Sequence, residues 1–155
     1  MASRATLNHI HVANLWNKLG KQWGGPSKQA ADERFARLLQ RTVELVDSCG
    51  PQEMANISHG VSKCRLLTHD TSALYAAVAS AAMRSGLGNF MPQHLANLAW
   101  AFATAGHASP VLFDALAEAS APRLGEFKPQ NLANTAWAYA TAGRAAPELF
   151  DAVAK

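Results

Sequence analysis

The chain has 155 residues, enough for one domain with a hydrophobic core, and 49% of them are apolar, which excludes a disordered chain. Its formal net charge of +3 permits an anionic partner without requiring one. No apolar run approaches the roughly 18 residues of a membrane helix, so we expect no membrane-spanning segment. Alanine is abundant and β-branched residues are few, which favours an all-α fold.

The N-terminal part begins with a basic stretch that contains no acidic residue before Asp32. Such a start is typical of organellar transit peptides, and it is equally compatible with the first helix of a helical array. We predict a first helix over residues 6–20, a loop over residues 21–28, and a second helix from Lys28 to Val46. The residues of the second helix that we expect to face the core are Phe35, Leu38, Leu39, Thr42, Val43 and Val46.

Two segments further along the chain are nearly identical. Residues 92–118 and 129–155 match at 19 of 27 positions with an offset of 37 residues, and a diverged copy begins at Pro51 with an offset of 41. A repeat of 20–50 residues indicates one supersecondary unit that is copied and stacked, because a single unit cannot bury its own apolar face. We therefore predict a single repeat domain over residues 1–155, divided into a diverged N-terminal repeat (1–50), two repeats (51–91 and 92–128) and an incomplete repeat (129–155).

Each repeat has the sequence pattern of two helices. Pro92 suits the first position of a helix, and Gly106 suits the left-handed residue that ends it. Ser109-Pro110 begins the second helix, and Pro122 bends or ends it. The predicted fold is an all-α, right-handed α-solenoid of helical hairpins with about eight helices. Because the chain ends inside a helix of a well-formed repeat, we expect either a longer array or a partner that covers this end.

Catalytic and metal-binding patterns are missing from the sequence. It contains no HExxH, CxxC, glycine-rich phosphate loop or nucleophile elbow, so we expect no enzyme activity, metal, cofactor or small-molecule substrate. Cys49 and Cys64 occur among apolar residues at helical spacing, which favours buried free thiols over a disulfide.

The repeat motif reads PQ-x-LAN-x-AWA-[FY]-ATAG, followed by P-x-LFDA. It resembles the octotricopeptide-type repeat family, the related FAST-kinase-like leucine-rich repeats associated with RAP domains, and the repeat domain of RNA-editing substrate-binding complex subunits. The resemblance is strong over residues 51–155 and weaker before them, and a RAP-like segment is not present. It implies a helical array that binds RNA in the processing, stability or translation of transcripts in mitochondria or plastids.

The first helices of the two full repeats have the same residue at most positions and differ at 94/131, 98/135 and 102/139. These three positions are spaced i, i+4, i+8, so they form one variable stripe along the helix. Helical repeats that bind one base per repeat use two or three such side chains per unit. Helix packing is the alternative explanation for positions 98/135 and 102/139. The candidate base-facing residues are His94, Leu98, Phe102, Asn131, Thr135 and Tyr139.

Shared polar and aromatic residues are predicted to be structural. We expect Asn97 and Asn134 to hydrogen-bond the backbone of a neighbouring helix, and Trp100 and Trp137 to fill an alanine-lined interface. Basic side chains are candidates for phosphate contact, with an ordinary solvated helix face as the alternative. The candidate phosphate contacts are Arg34, Arg37, Arg41, Lys63 and Arg65.

The leading hypothesis from the sequence is an organellar RNA-binding helical-repeat protein, whose partner is single-stranded RNA. Other proteins of a ribonucleoprotein complex are further expected partners. The alternative hypothesis is a protein–protein interaction scaffold within a ribonucleoprotein assembly, which the near-neutral C-terminal half favours. The expected location is the mitochondrial matrix or the plastid, with the cytoplasm as the alternative.

Overall fold

A computed structural model of the protein describes residues 6–22, 33–66 and 69–155. These ranges contain eight α-helices and no β-strand, with short 3-10 helices at Val46–Ser48, Leu87–Asn89 and Ala121–Glu126. The all-α solenoid prediction is confirmed, whereas its right-handedness stays a prediction. The helices are α1 (His9–Gln22), α2 (Glu33–Leu45), α3 (Pro51–Cys64), α4 (Ser72–Ser85), α5 (Pro92–Thr104), α6 (Pro110–Ser120), α7 (Pro129–Thr141) and α8 (Pro147–Ala154).

The helices begin and end close to the proline and glycine residues that the sequence analysis used to place them. Proline occupies the first turn of α3, α5, α6, α7 and α8, where its missing N–H costs no hydrogen bond. Gly106 and Gly143 follow α5 and α7 with φ of 76° and 66°, as the left-handed cap requires. Pro122 lies in the 3-10 helix after α6. Most of the predicted loop and the first residues of the predicted second helix lie outside the described ranges.

The helices form two layers. Consecutive first helices pack closely along their length, and we call α1, α3, α5 and α7 the first-helix layer. The second-helix layer consists of α2, α4, α6 and α8, whose members contact each other much less. Between the layers lie large, fully buried side chains, among them Trp16, Tyr75, Phe102 and Phe113. In α2, Phe35, Leu39 and Thr42 are buried as predicted, as is Val46 beyond its end, while Leu38 and Val43 are half-buried.

Small residues allow the first helices to approach closely. Ala96, Ala99 and Ala103 of α5 are all buried. Among the glycines that the structure describes, Gly60 has the closest neighbour: a Cβ atom added there would lie 2.2 Å from the backbone oxygen of Trp16, at the contact of α3 with α1. Glycine at position 60 is therefore required for this crossing of α1 and α3.

Polar side chains join neighbouring helices, both between the layers and within the first-helix layer. Trp16 Nε1 donates to Thr42 Oγ1 at 2.9 Å, which joins α1 to α2. Ser62 Oγ donates to the backbone oxygen of Ala101 at 3.1 Å, which joins α3 to α5. Both cysteines are free thiols, as predicted, and burial raises the pKa of Cys64 to about 11. Among the helices that the structure describes, none has the length and apolar character needed to cross a membrane.

Candidate nucleic-acid interface

Most of the predicted base-facing stripe is buried in the core. The exposed fraction is 0% for Leu98, 1% for Phe102, and 2% for both Thr135 and Tyr139. These side chains face the second-helix layer: the hydroxyl of Tyr139, for example, donates to the backbone oxygen of Phe113 in α6. This burial supports helix packing, the alternative explanation for these four positions, and a contact of their side chains with bases stays a prediction without structural support.

The other two members of the stripe lie at helix starts. His94 is half-buried in the first turn of α5, and its Nδ1 accepts a hydrogen bond from the Met91 N–H at 3.3 Å. Burial lowers the pKa of His94, while the charge of Glu53 acts in the opposite direction. Asn131 is half-buried in the first turn of α7. Their position leaves both side chains accessible, and a contact with RNA remains a prediction for them.

The predicted phosphate contacts fall into two groups on different layers. Arg34, Arg37 and Arg41 all lie on α2, in the second-helix layer. Of these, Arg41 forms an ion pair with Glu44 at 3.0 Å and is thus partly neutralised. Lys63 is exposed on the last turn of α3, in the first-helix layer, and Arg65 is exposed directly after it. A single RNA strand lying on one layer therefore cannot use both groups.

An aromatic ladder crosses the first-helix layer. It consists of His59, Trp100 and Trp137, which occupy equivalent positions in α3, α5 and α7. The ring centroids of His59 and Trp100 are 4.9 Å apart, and those of Trp100 and Trp137 are 6.2 Å apart. Trp137 is 47% exposed, so the prediction that it fills an interface is wrong, whereas Trp100 and His59 are half-buried. Since the rings already contact each other, a base would stack on their open faces rather than between them.

A row of asparagines runs beside the ladder, three residues before it on each helix. Asn56, Asn97 and Asn134 are half-buried and make no side-chain hydrogen bond with any residue in the described ranges, contrary to the predicted backbone contact. Sequence comparison missed a fourth member, the exposed Asn14 of α1. Its signal was present, because the segment HVAN at residues 11–14 matches HLAN at residues 94–97. The asparagine row (Asn14, Asn56, Asn97 and Asn134) therefore offers unpaired amide donors and acceptors.

Charge is divided unequally between the layers. The four helices of the first-helix layer carry Lys18, Lys21 and Lys63 against one acidic residue, Glu53. The four helices of the second-helix layer carry six acidic residues against four arginines. The pKa of His59 is lowered, first by burial and then by the charges of Lys63 and Lys21. Lys63 lies one helical turn after His59 on α3, and Gly20, the neighbour of Lys21, packs against Lys63. No group of three or more His, Cys, Asp or Glu side chains within residues 6–22, 33–66 and 69–155 is placed to hold a metal ion.

The lowered pKa of His59 predicts a loss of stability in mild acid. In the unfolded chain this histidine regains its ordinary pKa of 6.5, so the unfolded state binds the proton more readily. The contribution of neutral His59 to the free energy of unfolding is fully present above pH 6.5. It is lost as the pH falls through the lowered pKa that His59 has in the folded protein. We expect the Tm to fall between about pH 7.5 and pH 5. The fall should be smaller in His59→Gln, and an equal fall in both proteins would contradict the assignment to His59. Thermal unfolding followed by circular dichroism makes the measurement.

Comparison with known proteins adds one finding. A family model described as "Tbc2 translation factor, N-terminal domain" matches residues 4–155, nearly the whole chain. No curated protein sequence matches the chain. The family assignment drawn from the repeat motif, to octotricopeptide-type or FAST-kinase-like repeats, is wrong, because the matching model names a different family. With its match extending over both layers and the aromatic ladder, the chain belongs to the Tbc2 translation factor N-terminal domain family.

Proposed function

We propose that this domain binds single-stranded RNA on the outer face of its first-helix layer and acts in the translation or processing of an organellar transcript. The family description names a translation factor, which supports a role in translation or a related RNA process. The observation that carries the proposal is the aromatic ladder on a layer almost free of acidic residues.

The surface has the three kinds of group that single-strand binding uses. Open aromatic faces stack on bases without regard to sequence, and Trp137 offers the most exposed face. Amides of the asparagine row can hydrogen-bond base edges, which are accessible in a single strand but not in a duplex. Lys21 and Lys63 lie near the His59 end of the ladder and would contact phosphates. Because duplex RNA has its bases stacked and enclosed, we propose that the single strand is the preferred partner.

An organellar location, in the mitochondrion or the plastid, is part of this proposal. Its support is the basic, acid-free composition of the stretch before Asp32, although His9–Gln22 within that stretch form α1 and pack into the core. Protein partners in a ribonucleoprotein complex are also part of it. They are supported by the exposed apolar side chains Phe150 and Val153 on α8.

Charge reversal on the two layers tests the proposal. Lys63→Glu and Arg37→Glu change the charge equally at exposed helix positions, but on opposite layers. In fluorescence anisotropy with a labelled single-stranded RNA across a salt series, we expect Lys63→Glu to bind more weakly. The negative slope of log K against log salt should become shallower by roughly 0.7, the value for one phosphate contact on a single strand. Arg37→Glu should bind as the unchanged protein does.

The alternative outcomes are distinct. Equal weakening by both variants would mean that the first-helix layer is not the binding face. Binding of duplex RNA as tightly as single-stranded RNA would contradict the role of the ladder. If the folded protein binds no RNA at low salt, the RNA proposal fails and the scaffold hypothesis, in which the partner is a protein, takes its place.

A further inference from the structure

Arg65 has a backbone conformation that its side chain disfavours. It caps α3 with φ of 49° and ψ of 56°, and it is the one non-glycine residue with positive φ in the described ranges. In the next two repeats the aligned residues are Gly106 and Gly143. All three N–H groups bond the carbonyl three residues earlier, at 3.3 Å for Arg65 and 3.2 Å for each glycine. Glycine adopts this conformation without strain, so arginine here needs another explanation.

Contacts within the fold do not supply that explanation. The guanidinium groups of Arg41, Arg84, Arg123 and Arg144 each form an ion pair with an acidic side chain. Arg65, by contrast, is exposed and forms no ion pair with any residue that the structure describes. The strain at position 65 is therefore not offset by an ionic contact inside the domain.

The surroundings of Arg65 have the chemistry of a phosphate site. A cavity of about 310 Å³ lies between the C-terminal ends of α3 and α5. Arg65 and the hydroxyl-bearing residues Ser62, Thr71 and Thr104 form one half of its lining, and Val61, Leu66, Tyr75 and Ala105 form the other half. Thr104 is one helical turn beyond Trp100, so the cavity lies next to the aromatic ladder. A guanidinium group presents a planar fork of donors that matches phosphate oxygens. The hydroxyl of Ser62 already donates to the backbone oxygen of Ala101 and that of Thr71 pairs with His107 Nε2, so among these three residues Thr104 is the one that can add a donor.

We propose that Arg65 binds a backbone phosphate of a single RNA strand whose bases stack on the aromatic ladder. Arginine at this position retains backbone strain because its guanidinium group contacts the ligand at the end of the ladder. This inference rests on the proposed function. It adds a residue, Arg65, that strengthens RNA binding while its backbone strain lowers the stability of the fold.

Two substitutions separate these effects. Arg65→Gly removes both the strain and the charge, so we expect the Tm to rise by roughly 2–4 °C. The affinity of Arg65→Gly for single-stranded RNA should fall by roughly fivefold. The negative slope of log K against log salt should become shallower by roughly 0.7. Arg65→Lys keeps a charged side chain in the same strained backbone and should leave both the Tm and the salt slope close to those of the unchanged protein.

Each result supports or overturns the proposal. If Arg65→Gly binds RNA with unchanged affinity and salt slope while Lys63→Glu weakens binding, the phosphate role of Arg65 is overturned and the proposed function stands. If the unchanged protein binds no single-stranded RNA, both are overturned. A lower Tm for Arg65→Gly would show that the arginine stem stabilises the fold, which would overturn the argument from strain.

Discussion

Replacing Gly60 with alanine is expected to destabilise the protein by about 3 kcal/mol or more, the upper range for an overpacked core. The added Cβ atom would lie 2.2 Å from the backbone oxygen of Trp16 and 2.5 Å from its carbonyl carbon. Backbone atoms cannot rotate away as a flexible side chain can, so α1 would have to move off α3. Thermal and urea unfolding followed by circular dichroism should show a Tm lower by roughly 6–12 °C.

Repeat comparison alone would predict the opposite for Gly60. The aligned residues are Ala101 and Ala138, both fully buried, so alanine would look like a harmless change to the repeat consensus. Gly88→Ala is the matched control, because a Cβ atom at that position meets nothing within 4 Å. The control should change the Tm little. A Gly60→Ala protein as stable as the Gly88→Ala protein would contradict the close approach of α1 and α3.

Replacing Trp137 with alanine is expected to weaken the binding of single-stranded RNA by roughly 5- to 150-fold. This range corresponds to the 1–3 kcal/mol that stacking of one base on an aromatic side chain contributes. Because 47% of the side chain is exposed, its removal should leave the fold intact. Anisotropy at one fixed salt concentration measures the affinity, and circular dichroism confirms the helical content.

Val111→Ala is the control for this substitution. Val111 is 67% exposed but lies on α6, in the second-helix layer, so its removal should not change RNA affinity. Trp137→Phe should retain most of the affinity, since a phenyl ring also stacks on bases. If Trp137→Ala binds RNA as tightly as Val111→Ala does, the ladder is not a stacking surface.

The fold was predictable because helix boundaries depend on local chemistry. Pro92, Gly106 and Pro110 mark the limits of α5 and α6 within two residues, through a fixed φ, a left-handed cap and a missing donor. The internal repeat then required stacking, because each hairpin has an apolar face that only a neighbour can cover. The closeness of α1 and α3 was not predictable, since nothing in the repeat pattern sets the distance between two particular helices.

The binding surface was less predictable, because difference between repeats is a poor guide to exposure. Leu98 and Thr135 differ between the repeats and are buried, since each fits its own local packing. Trp100 and Trp137 are identical and were therefore assigned to the interior. Helix geometry alone leaves open which side of an alanine-rich helix faces its neighbours, because alanine is compatible with either side. Only the packing of both layers identifies the exposed stripe.

The family was misassigned for a related reason. The motif residues Leu95, Ala96 and Ala99 that carried the resemblance are all buried between helices. Such residues are selected by close helix packing, which many helical-repeat classes share. They predict the architecture well and discriminate poorly among the families that use it.

The division of charge between the layers has a consequence for how fast a ligand arrives. Within the eight described α-helices the acidic side chains are concentrated on the second-helix layer, so these helices together carry an electric dipole directed across the two layers. A polyanion approaching from any direction would turn the domain until the lysine-bearing layer faces it, before any contact forms. Association should then be fast at low ionic strength and slow steeply as salt screens the field, while the rate of dissociation changes much less.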